Sequence, residues 1–198
     1  MKANKHELEI GLASWIIQDG NYPDFSTGQN AEFALEFYSQ AYLKSDVRSK
    51  LIKSLGAGKY QIIGEVVFQT DEVWVLDFGI CAFQESKPPD GISLGRFVEA
   101  EIYLGIDPFS YFERLYTLPK MPALIYSWKI NSIGQQTAPF VETRELSGQK
   151  VLVRDEKKLG YMTITKTDAW KDDGGNAEYV LTCTRLDVLP KFESATAT

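Results

Sequence analysis

Three stretches between Tyr60 and Ile106 alternate their side chains with a period of two, and this constrains the fold more than any other feature of the chain. Tyr60, Ile62, Gly64, Val66 and Phe68 share one side of an extended backbone. Trp74, Leu76, Phe78, Ile80 and Ala82 share one side of the second stretch, and Val98, Ala100, Ile102, Leu104 and Ile106 one side of the third. Successive side chains of a strand point to opposite faces, so each stretch can bury one face. Thr70-Asp71-Glu72 is short enough for a hairpin, while Pro88 and Pro89 hold the second connection in a loop. The pattern predicts an antiparallel three-stranded meander with Glu65, Asp77, Glu99 and Glu101 on the face away from the core.

The flanking segments extend the same theme. Leu8, Ile10 and Leu12 alternate within a strand expected over 7–17, and Phe33, Leu35 and Phe37 within another over 31–43. Ser45 can cap a helix carrying Val47, Leu51, Ile52 and Leu55, with Gly56 at its C-terminal end, although an extended conformation for 41–45 also fits. A second short helix is expected after the meander, capped by Asp107 with Pro108 in its first turn. Phe109, Phe112 and Leu115 share one side of it, as a plug at an end or edge of the sheet. Further strands are expected over 123–130, 150–153, 160–166 and 177–188, with turns at 155–158 and 171–176. Residues 132–147 read as a loop with a short strand near Val141 to Thr143.

The fold expected is therefore mainly β, an antiparallel barrel or sandwich with two short helices. The strand, strand, strand, helix, strand order over 60–131 also follows that of an OB-type barrel. Four Trp, ten Tyr and eleven Phe suit the pleated packing of sheets. Residues 1–198 are expected to form one domain, and a seam, if there is one, falls at 118–122, where Leu118-Pro119-Lys120-Met121-Pro122 interrupts the pattern.

Several chemistries are set aside by residue type. The sole histidine, His6, lies near one end, a poor position for a nucleophile triad, and a zinc site built from several histidines is out of reach. Gly56-Ala57-Gly58-Lys59 lacks both the earlier glycine and the following Ser or Thr of a phosphate loop. Asp168, Asp172, Asp173, Asn176 and Glu178 do not follow the spacing of a calcium loop, and a hairpin rich in Asp, Gly and Asn needs no ion. No cofactor or metal is expected. Cys81 and Cys183 are distant and outside any CxxC pair, and Met1 to Glu9 has no apolar leader, so free thiols and a cytoplasmic location are expected. No apolar run approaches the roughly 18 residues of a membrane helix.

Charge returns attention to the meander. Residues 60–120 hold four basic against ten acidic residues, whereas the segments before and after balance, so the net charge of −6 arises here. The candidate site is accordingly Glu65, Asp77, Glu99 and Glu101 with Phe97 and Tyr103 beside them. An acidic sheet face with aromatic contacts suits a basic protein partner, and we expect a non-catalytic interaction protein. Converging carboxylates would instead suit a hydrolase, and a barrel could take a small ligand. Single-stranded nucleic acid comes third, because a pI near 4.9 disfavours phosphate binding.

Overall fold

The computed structural model describes residues 7–144 and 149–192. Fourteen strands are found among them: β1 (Glu7–Ala13), β2 (Asn30–Phe33), β3 (Leu35–Tyr38), β4 (Tyr42–Ser45), β5 (Leu51–Gly56), β6 (Lys59–Gln69), β7 (Trp74–Asp77), β8 (Cys81–Gln84), β9 (Phe97–Ile106), β10 (Tyr126–Gln136), β11 (Phe140–Arg144), β12 (Lys150–Arg154), β13 (Tyr161–Ile164) and β14 (Glu178–Arg185). The α-helices are two single turns, α1 (Ser14–Gln18) and α2 (Ser110–Glu113).

The mainly β, barrel-forming character read from the sequence is what the chain adopts. Five strands close in the order β9-β3-β8-β7-β6, with β6 returning to β9. All contacts around this barrel are antiparallel except the β3–β8 seam, which is parallel. The strand after α2, β10, lies outside the barrel in an open sheet of order β13-β10-β14-β1, with β2 on the flank of β10. Barrel and sheet meet where Gly11 of β1 runs parallel to Gly105 of β9.

The period-two faces point as expected. Tyr60, Ile62 and Val66 of β6 and Val98, Ile102 and Leu104 of β9 are buried, and they pack with Leu35, Phe37, Trp74 and Leu76 inside the barrel. This core runs on into the sheet through Ile10, Leu12, Ile130, Ile133 and Leu181. Around β7 both faces are buried, because Val73, Val75 and Phe83 point outward under Tyr111, Leu115 and Met121. The 107–115 segment thus covers the outside of the barrel wall rather than plugging an end. Tyr111, not Phe109, is its principal anchor: the hydroxyl donates to Pro122 O at 2.8 Å and accepts from Leu124 N at 3.1 Å.

Several expectations are corrected. The helix placed over 45–56 does not form; β4 ends at Ser45, an irregular stretch follows, and β5 takes the rest, since Leu51 and Ile52 pair with Ile63 and Ile62 along the free flank of β6. Gly56 does adopt a left-handed conformation, but as the start of the hairpin turn Gly56-Ala57-Gly58, all three at positive φ. The third meander strand pairs with the first, not the second, so β6 is central. Within the second stretch, Gly79 turns the chain between β7 and β8. The strand expected over 7–17 stops at Ala13, and the one over 31–43 is divided into β2, β3 and the start of β4. Gly134 to Gln136, read as loop, complete β10 by pairing with Thr163 to Tyr161.

Candidate functional site

The outer face of β4, β9, β6 and β5 is built in rows that the register defines. Leu43, Glu99, Ile63 and Leu51 lie side by side across the four strands. One row along stand Glu101, Gln61 and Lys53, and beyond them Tyr38, Tyr103 and Lys59. In the opposite direction come Ser45, Phe97, Glu65 and Asp77, the last contributed by β7. All six residues singled out in the sequence therefore share one face, in two groups.

The first group is Glu65, Asp77 and Phe97. Glu65 and Asp77 are direct cross-strand partners, an arrangement in which like charges repel. Lys50 relieves it: its ammonium pairs with Asp77 Oδ2 at 2.6 Å and lies in the field of Glu65, and the hydrogen bond to Asp77 raises the lysine pKa. The other oxygen of Asp77 accepts from Gly79 N at 2.9 Å and fixes the β7–β8 turn. This carboxylate is engaged in holding the fold.

The second group is Glu99, Glu101 and Tyr103, and it lies in a concavity. Between Tyr38, opposite Tyr103, and Tyr42, opposite Ala100, three residues face two of β9. The extra residue makes a β-bulge, the kind of irregularity that re-aims a strand beside a binding surface. Ser39 braces it, with Oγ donating to Ala41 O at 2.8 Å. The bulge and Leu43 form one wall of a groove of about 770 Å³; Leu55 and Lys59 form the other, and Glu99, Glu101, Gln61 and Tyr103 the floor. Leu43 and Leu55 are the apolar part of these walls, beside the polar Ser39, Gln40 and Lys59, and Leu43 is 68% exposed. Gln61 Nε2 donates to Glu99 Oε1 at 3.4 Å, whereas Glu101 is exposed and carries no hydrogen bond or ion pair among the described residues.

Tyr103 is held firmly in this floor. A Cβ placed on Gly11 would meet its hydroxyl at 1.8 Å, and one on Gly58 its ring at 3.0 Å, so both glycines clear a seat for the tyrosine. Burial raises its pKa, with Glu178 and Tyr161 adding to the effect. Beside the groove, the Tyr38 hydroxyl donates to Glu36. Glu36 is only 7% exposed, set between Gly105 and Phe83. Burial raises its pKa, against the Tyr38 hydrogen bond and with the help of Glu85.

Tyr38, Leu43, Leu55 and Lys59 were not singled out in the sequence as site residues. The pair Leu43 and Leu55 is invisible there, because one lay in an expected strand and the other in an expected helix. The alternation Leu51-Ile52-Lys53-Ser54-Leu55 is the signal that would have placed Leu55 on the open face.

The remaining candidates resolve into structural roles. Asp173 pairs with Arg154 and Asp168 with Lys171, while Asp172 accepts from Asp168 N and from the Tyr179 hydroxyl. No group of three or more metal-ligating side chains occurs among the described residues. His6 lies outside the described residues. Cys81 and Cys183 are free thiols, and burial pushes them up to about 11 and about 12. No helix among the described residues is long and apolar enough to cross a membrane. Compared with known proteins, the chain matches no family model, no curated protein and no solved structure.

Proposed function

We propose that the chain is a non-catalytic binding protein whose groove across β9 receives a basic, extended segment of a protein partner. The observation that carries this reading is Glu101: an exposed carboxylate without an ion pair among the described residues, on a concave floor next to Glu99 and between the apolar side chains of Leu43 and Leu55. Apolar contacts at the walls supply area, and a cation of the partner on the floor supplies orientation and specificity. The free thiols suit a reducing compartment, and we place the encounter in the cytoplasm.

Two competing readings have less support. Glu99 and Glu101 stand two apart on one strand, on the same floor, not facing each other across a bound sugar as a hydrolytic pair would. The barrel interior is filled by Phe37, Trp74, Tyr60 and Leu76, so a ligand is better accommodated outside it than within. A nucleic-acid phosphate would meet two glutamates on the floor.

The test is selection of binders from a library of short peptides, followed by titration. Enrichment of Lys or Arg flanked by apolar residues is expected. Glu99→Lys with Glu101→Lys should weaken the selected peptides by about tenfold or more at an unchanged melting temperature. Equal binding by the double variant and the wild type would remove the groove from consideration.

A further inference from the structure

Residues 107–122 lie as a cover on the outside of the barrel wall, with Tyr111, Leu115 and Met121 packed on Val73, Val75 and Phe83. Little within the cover would keep its shape alone. α2 is a single turn, far below the length at which a helix is stable in water, and its far end turns at Lys120, at φ +68°. The near end is fixed by Asp107, one residue past β9, whose carboxylate accepts from the backbone N–H groups of Phe109 and Tyr111. The carbonyl of Asp107 accepts in turn from the Tyr22 hydroxyl at 2.8 Å.

A second carboxylate stands beside it. Glu36 of β3 is opposite Gly105, and the same pairing runs on through Asp107 N, which donates to Ala34 O at 3.0 Å. Glu36 and Asp107 are therefore diagonal neighbours on one outer face of the wall. Asp107 is 0% exposed and Glu36 7%. No ion pair reaches either of them among the described residues. The groups that face them are acids and phenols: Tyr38 from β3, Glu85 from the end of β8, Tyr22 from the loop before β2, and Tyr111 from α2. Glu113 of α2 is exposed, and Arg114 after it has its guanidinium on Glu72 and Glu85.

Two buried carboxylates without a cation resist ionising, because desolvation and mutual repulsion both favour the proton. Both pKa values are raised, burial being the first cause in each, and that of Asp107 reaches about 7. They differ in their route to water. Glu36 is built into the wall between β8 and β9, whereas Asp107 lies past the end of its strand and needs only the cover to move.

We propose that residues 107–122 act as a proton-controlled cover, closed while Asp107 and Glu36 are protonated and lifted from an intact barrel on their ionisation. The opened form bares the apolar side chains of Val73, Val75 and Phe83. Its sign follows from linkage: the closed form keeps a proton that the open form releases, so opening is favoured as pH rises from about 4 to about 7 and levels off above.

Hydrogen exchange of the intact chain, corrected for the intrinsic rate at each pH, tests this. The reporters are the amides of Glu113 and Leu124, which donate to Phe109 O and to the Tyr111 hydroxyl, against those of β6 and β9 for the barrel. Between pH 5 and pH 7 the cover should lose protection by about tenfold per pH unit, one proton being released on opening. At pH 7 its amides should exchange through an opening almost insensitive to low urea, while barrel amides stay better protected and respond steeply. Asp107→Asn keeps an acceptor for the turn without the titration and should flatten the pH slope. Glu36→Gln should reduce it, and the wild-type slope is measured whether or not either variant folds. Cover protection that is flat with pH, or equal to that of the barrel at pH 7, overturns the proposal. So does a slope that both variants leave at the wild-type value.

Discussion

Asp107 is fully buried and has its carboxylate turned onto the first turn of α2, accepting from Phe109 N at 3.2 Å and Tyr111 N at 3.0 Å. Burial, with a contribution from Glu36, outweighs those hydrogen bonds and lifts its pKa from 3.8 to about 7. The folded chain therefore keeps a proton that the unfolded chain has released, and the linkage has a definite sign. The contribution of this group to stability is full below about pH 4 and is lost as pH rises to about 7, an amount on the order of 4 kcal/mol. Asp107→Asn should remove most of that decline, read from urea unfolding at successive pH values; a slope equal to the wild type would show that Asp107 titrates alike in both states. The capping role of Asp107 was legible from the proline after it. The burial of Glu36 was not, since it depends on Gly105 and Phe83, residues far along the chain that the register sets on either side of it. Tyr103 is a similar case: its seat on Gly11 and Gly58 exists only after three distant segments have met.

Among the elements, α2 and the segment after it act as a cover, held on the barrel wall by Tyr111, Leu115 and Met121 and by Arg114, which pairs with Glu72 and Glu85, and closed on itself through the Tyr111 hydroxyl. Tyr111→Phe keeps the ring among Phe83, Leu115 and Met121 but leaves the Leu124 N–H without its acceptor. A loss of about 1–2 kcal/mol in chemical denaturation is expected. A change near zero would mean that the segment finds other partners. Periodicity located nearly every strand, and it failed where two periods fitted equally well. Val47, Leu51, Ile52 and Leu55 satisfy helical spacing, yet Leu51 to Leu55 extend as a strand once β6 offers an open flank. The sequence carries no statement of that flank. The bulge at Ser39 to Ala41 was equally silent: it is one residue too many opposite β9, and it makes a wall of the groove.

For the whole molecule, β9 is the organising strand, paired with β6, β3 and β4 and touching β1. Its amides should be the slowest to exchange hydrogen in native conditions, and those of β11 and β12 the fastest of any paired strands. Comparable protection in β11 and β12, which pair only with each other, would contradict that isolation. The excess of acids over 60–120 was legible as a count but not as a surface. Lys50, Lys53 and Lys59, from the balanced segment before it, pack onto the same face, so the face is mixed rather than uniformly acidic. β14, the last strand among the described residues, lies between β1 and β10. During synthesis the first strand leaves the ribosome long before its neighbour exists. Ile10 and Leu12 must wait for Leu181 and Tyr179, so the barrel can be assembled from a nascent chain while the open sheet is completed only by the final strand.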